Sequence, residues 1–168
     1  LRVYWSHQAL KGASDHGKNL FKNIEVARKH CHGIHELVSE VEKYRSSDKI
    51  NTESWLGFVQ SSKEFISAYL TLDPEFTNDL LVSSQDKELI DFLGAQKNEL
   101  RKKINDLFFI ENSVFSHVLE CLSSTLSSQS AVLPQYSLEE IEKSLTAGSP
   151  LSGVDRDFII LTRNGKVQ

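Results

Sequence analysis

Cysteine, proline, glycine and methionine are all scarce in this chain: two, three, eight and none in 168 residues. Each shortage removes a class of protein. Two cysteines, Cys31 and Cys121, cannot make a disulfide framework, and they fit a reducing, cytoplasmic setting. No apolar run approaches the roughly 18 residues of a membrane span, and no leader pattern opens the sequence. The lysines and arginines are dispersed over a chain of net charge −4, with nothing denser than Arg101-Lys102-Lys103. Nucleic acid is therefore not expected as a partner, because phosphates demand a clustered positive surface. The glycines are scattered as well. None forms the G-x-x-x-x-G-K or G-x-G-x-x-G loop whose backbone amides approach a phosphate, and no G-x-S-x-G elbow presents a serine.

What the chain does have is helical periodicity. Leu20, Ile24, Ala27, Cys31, Ile34, Val38 and Val41 recur at spacings of 4, 3, 4, 3, 4 and 3, one apolar stripe along a helix from about Asp15 to Arg45. Gly33 weakens its middle by about 1 kcal/mol relative to alanine and marks a place for a kink. A second helix starts at Asn51 or Thr52 and carries a broad face of Trp55, Phe58, Val59, Ser62, Phe65, Ile66, Tyr69 and Leu70. Asp73-Pro74 breaks it and opens a short helix to Leu81, with Asp73 as its cap. A third helix spans about Gln85 to Phe109, with Leu89, Leu93, Leu100, Ile104, Leu107 and Phe108 on one face. A fourth, Ser113 to Leu126, buries Phe115, Val118, Leu119, Leu122 and Leu126, and a serine-rich loop covers Ser123 to Ser130. Ser137 and Glu140 form a capping box for a last short helix that Gly148 and Pro150 stop.

Phe158 to Thr162 reads as a strand, and Asn164-Gly165 favours a type I′ hairpin turn. Only Lys166-Val167-Gln168 remain for the return strand, so a polypeptide longer than this chain is expected. The predicted fold is mainly α, a multi-helix bundle over residues 1–147, with a C-terminal extension over 148–168 that holds a β-hairpin remnant.

Candidate chemistry is thin. Cys31 and His35 lie one helical turn apart, and His117 and Cys121 repeat the spacing in reverse order. Two such pairs on packed helices would supply a tetrahedral Cys₂His₂ zinc site, making the chain a helical zinc-binding domain. The competing reading gives Cys31 to the apolar stripe, where a free cysteine behaves as a small hydrophobe. His117 beside Cys121 would also lower a thiol pKa if the two formed an ion pair. Paired carboxylates occur at Glu139-Glu140, Glu36/Glu40 and Asp86/Glu88, all on helix surfaces or in first turns, where solvent or the helix dipole accounts for them. No catalytic and no cofactor-binding residue is assigned. The 3-4 stripe of the first helix also suits pairing with a second chain, which points to an α-helical interaction module or a homodimer through that helix.

Three stretches read in order resemble one family. They are Ile90 to Phe109, with Glu99-Leu100-Arg101 and Asn105-Asp106-Leu107-Phe108-Phe109; the helix Asn112 to Leu126; and Pro134-Gln135-Tyr136-Ser137-Leu138-Glu139-Glu140-Ile141 followed by Leu151 to Val167. Together they resemble the helical middle segment of phosphoenolpyruvate-utilising enzymes, such as phosphoenolpyruvate synthase and rifampicin phosphotransferase relatives. In that family a tyrosine–small–leucine–acidic–acidic–isoleucine helix precedes an arginine-containing strand and hairpin. Arg156-Asp157-Phe158-Ile159-Ile160 and Asn164-Gly165-Lys166 stand in those places here. Trp55-Leu56-Gly57-Phe58 and Asp73-Pro74-Glu75-Phe76 are similar to the family as well. The resemblance implies a non-catalytic linker and scaffold whose partners are neighbouring domains of the same polypeptide. In such a parent, a transferase, ATP and Mg²⁺ belong to an ATP-grasp domain, and a mobile domain carries the phosphorylated histidine in a glycine-rich loop. None of the six histidines here lies in such a loop, so His35 and His117 do not take that role.

Overall fold

A computed structural model describes residues 7–72, 77, 84–128, 130–151, 162–163 and 166–167. These residues are mainly helical. Helix α1 is His7–Leu20 and α2 is Ile24–Glu42, continued by a 3₁₀ turn over Lys43–Ser46. Helix α3 is Thr52–Leu70, α4 is Lys87–Ile104, α5 is Val114–Leu126 and α6 is Leu138–Ala147.

Side-chain caps explain most of the helix starts. Asn51 accepts from the backbone of Ser54 at 2.8 Å while the Ser54 hydroxyl accepts from the backbone of Asn51 at 2.9 Å. Ser137 and Glu140 exchange the same pair of bonds at 3.3 and 2.9 Å, as their spacing predicts. Asp86 and Ser113 cap α4 and α5. At the other end of α6, Gly148 takes a left-handed φ of 61°, which glycine adopts without the Cβ clash.

The predicted first helix is in fact two. Leu20 ends α1, and Asn23 turns its side chain to accept from Val26 N at 2.9 Å, starting α2 afresh. Leu20 and Ile24, the first two members of the stripe, are accordingly only half-buried. From there the stripe behaves as expected. Ala27, Cys31, Ile34, Val38 and Val41 are all buried, and α2 runs past Gly33 without interruption.

Helix α2 packs chiefly on α3 and then on α4. Facing it are Trp55, Phe58, Phe65 and Tyr69 of α3 with Leu89, Leu93 and Leu100 of α4. Phe58 stacks on Phe115 of α5 with ring centroids 6.4 Å apart, and Phe65 stacks on Phe108 at 6.1 Å. Tyr44 meets Phe58 edge-on at 5.4 Å and crosses α3 at Gly57, where a Cβ would lie 2.5 Å from the tyrosine oxygen.

The third predicted helix reaches Phe109, but it is regular α-helix only to Ile104. Over Asn105–Phe109 the helix widens into a π turn, closed by a bond from Ile110 N to Asn105 O at 3.2 Å. This turn swings Leu107 inside and leaves Phe109 73% exposed. The predicted serine loop begins too early, because Ser123 to Leu126 remain helical. Ser124 and Thr125 donate back to the carbonyls of Glu120 and Cys121, which satisfies their hydroxyls inside the helix.

Of the predicted helix Pro74 to Leu81 only Thr77 lies among the described residues, and Asp73 does not. Phe158 to Leu161 and the Asn164-Gly165 turn also lie outside them. Thr162–Arg163 pairs antiparallel with Lys166–Val167, two residues on each side. A pairing that short is marginal in water, so the expected hairpin is not supported as part of the fold. The architecture is the helical bundle.

Candidate functional site

The two Cys/His pairs are the starting point, and the structure does not gather them. Cys31 lies in the core of α2 at 1% exposure. Its pair member His35 turns instead to α4, where Nε2–H donates to Gln96 Oε1 at 2.9 Å. On α5, His117 and Cys121 converge on the carbonyl of Ser47, in the loop between α2 and α3. His117 Nε2 lies 2.9 Å from that oxygen and Cys121 Sγ 3.2 Å from it. Among the described residues no three His, Cys, Asp or Glu side chains are grouped as an ion site.

The Ser47 carbonyl fixes the chemistry of the α5 pair. A carbonyl oxygen only accepts, so His117 carries its proton on Nε2 and presents no lone pair there. Cys121 Sγ is 3.6 Å from that same nitrogen and donates its own proton to Ser47. The thiol and the imidazole are thus parallel donors to one acceptor, an arrangement that forms no thiolate–imidazolium pair. Burial, with Glu120 and Asp48 adding negative charge, pushes the Cys121 thiol up. Burial alone pushes Cys31 up to about 11. Both thiols are held protonated, whereas a nucleophile or metal ligand must be a thiolate.

His30 is engaged in the same manner. Thr71 Oγ1 donates to the carbonyl of Ala68 at 2.6 Å and accepts from His30 Nε2–H at 2.8 Å. Burial and then the neighbouring His16 hold its pKa below the ordinary imidazole value. The ring also meets Phe21 edge-on at 5.5 Å.

The paired carboxylates serve local structure too. Asp86 and Glu140 are in caps, Glu88 bonds Arg28 at 2.8 Å, and Glu40 pairs with Lys43. These ion pairs lie on solvent-exposed surface, where each is worth little.

Sequence reasoning passed over Arg45. Its guanidinium grips Glu42 and donates to the carbonyls of Asn112 at 2.8 Å and Asp106 at 3.3 Å. The residue ties the end of α2 to the π turn and to the start of α5. Its spacing from Glu42 was a readable signal, whereas the carbonyl partners more than sixty residues away were not. A cleft of about 390 Å³ beside it is lined by Val38, Lys43, Lys103, Asp106 and Leu107. A larger apolar trough of about 560 Å³ runs along α2 over Val26, His30, Gly33 and Leu37, walled by Leu20 and Ala68.

No helix of the described residues is long and apolar enough to cross a membrane. Comparison with family models, with curated proteins and with solved structures returns no match to this chain.

Proposed function

We propose that this chain is a non-catalytic helical scaffold, the linker segment of a multidomain phosphoenolpyruvate-utilising phosphotransferase. The observation that carries the scaffold role is the use made of the polar side chains. His30, His35 and the His117/Cys121 pair bond three different elements of the bundle at 2.8–3.2 Å, joining α2 to the end of α3, α2 to α4, and α5 to the α2–α3 loop. Groups committed in this way hold helices in register; the one point at which two of them meet, the Ser47 carbonyl, is filled by backbone and leaves no place for a substrate atom. The phosphotransferase context rests on the resemblance of the stretches around Arg101, Asn105 to Phe109 and Tyr136 to Ile141. On this reading ATP and Mg²⁺ bind neighbouring domains, and this chain sets the distance and orientation between them.

Calorimetric titration of the chain with Mg-ATP and, separately, with phosphoenolpyruvate tests the reading. The expected result is no saturable heat with either ligand up to millimolar concentration. A micromolar Kd for either would overturn it.

A further inference from the structure

Helix α1 is the most lightly anchored helix at the α2 end of the bundle. Ala13, Ser14 and Gly17 are buried but small, Leu20 is half-buried, and Phe21 just beyond the helix is fully enclosed. Its chief neighbour among the described helices is α2. The break at Asn23 gives α2 a cap of its own, so α2 does not need α1 to continue it. A helix with so little buried apolar surface, beside a hinge, is where local opening begins.

His30 sits at this junction. Its ring meets Phe21 edge-on at 5.5 Å, and its Nε2–H donates to Thr71 Oγ1 at 2.8 Å. Thr71 gives its own proton to the Ala68 carbonyl, so the neutral ring keeps its lone pair on Nδ1. The charge that acts on the ring comes from α1, at His16. Next to it, α3 brings only Ala68 and Thr71, and Lys29 of α2 lines the same apolar trough. A proton added at Nδ1 therefore meets no carboxylate among the described residues.

We propose that α1 is an acid-released helix: protonation of His30 undocks it from α2 and opens the apolar trough that Leu20 walls. The device goes beyond the scaffold role and does not depend on which domains flank the chain. The neutral ring suits the closed state. Charging it costs desolvation in a half-buried site, and a protonated His16 adds repulsion from α1 itself. Moving α1 away relieves both, because it admits water to the ring and carries His16 off. The bond to Thr71 survives, since Nε2 keeps its proton in both states. So α2 and α3 stay joined while α1 leaves. Release takes Leu20 from the trough of about 560 Å³ and bares Val26 and Leu37 on that side.

In the closed state the ring titrates below its ordinary value of 6.5. Closure is therefore favoured in full above pH 6.5, and the advantage is lost as pH falls through the lowered value. One proton taken up on opening raises the open fraction by at most about tenfold per pH unit within that window.

Hydrogen exchange of the full chain at pH 7.5, 6.5 and 5.5, corrected for intrinsic rates, tests the device. The amides of residues 11–21 are expected to lose about three- to tenfold protection between the outer pH values. They should do so through a local opening that low urea leaves unchanged, whereas the amides of α2 exchange through a urea-sensitive one. In His30→Gln the side-chain amide still donates to Thr71 but does not titrate, so the pH dependence of residues 11–21 should vanish. His16→Gln should shrink it. Proton NMR of the His30 ring in the unaltered chain gives a check that needs no variant: its midpoint should lie below 6.5. Four results would each overturn the proposal: a ring midpoint at or above 6.5, protection of residues 11–21 that is constant with pH, a pH dependence that persists in His30→Gln, or loss of α1 and α2 in one urea-sensitive step.

Discussion

Cys31 and His35 on α2 share their four-residue spacing with His117 and Cys121 on α5, yet the two pairs end in different surroundings. On α2 the thiol joins the apolar core while the imidazole reaches out to Gln96 of α4. On α5 both groups reach the same carbonyl, that of Ser47. Spacing places two side chains on one face of a helix. What they do there is decided by the element packed opposite, and that element comes from 61 or more residues away in sequence. A Cys/His spacing on a helix therefore predicts proximity, and the acceptor it meets predicts the chemistry.

The comparison can be broken most forcefully in the α2 core. Ile34→Ala removes a side chain 1% exposed beside Cys31 and should lower stability by about 2–5 kcal/mol in urea unfolding. A loss below about 1 kcal/mol would mean that the stripe is loosely packed and that Cys31 is not locked by its neighbours. Cys31→Ser is smaller in volume change but sets a hydroxyl among apolar groups, at an expected cost of about 1–3 kcal/mol. His117→Ala removes one of two donors to the Ser47 carbonyl and leaves Cys121 bonded there. It should cost about 1 kcal/mol and leave the α2 pair unaffected.

A separate effect concerns pH. A thiol whose pKa rises from 9.0 to about 11 on folding favours the folded state while it is protonated. That contribution is fully present below pH 9 and is lost as pH rises through 11. The stability difference between the wild-type chain and Cys31→Ala should therefore shrink across this window, in melts at pH 8, 9.5 and 11. A constant difference would contradict the buried-thiol assignment.

Much of the helical architecture was legible because its signals are local. The stripe from Ala27 to Val41, the Asn51 start and the Ser137/Glu140 box each depend on residues within a few turns. The errors arose where two local signals competed. Leu20 and Ile24 continue the apolar spacing across a break that Asn23 imposes as an N-cap, and the spacing alone hid that cap. Asn105 to Phe109 keep helical character but widen by one residue per turn, which moves Phe109 to the surface without any mark in the composition. Ser123 to Thr125 read as loop by residue type, although back-bonding hydroxyls keep them helical. The candidate site was the least legible part. Gln96, Ser47 and Thr71, the partners of His35, His117 and His30, carry no pattern of their own and are brought in by tertiary packing alone.

Thiol reactivity in the folded chain addresses the central claim most directly. The reaction of Cys31 and Cys121 with a maleimide is followed at neutral pH across rising urea, with each site read by mass spectrometry. The account predicts that Cys31 reacts only through unfolding of the whole chain, with a protection free energy equal to the global value. It predicts that Cys121, 9% exposed and donating to Ser47, reacts sooner but still well below the rate of a free thiol. Reaction of either cysteine in the native state at or above the free-thiol rate would contradict the account, because it would reveal an activated sulfur where a structural one is claimed.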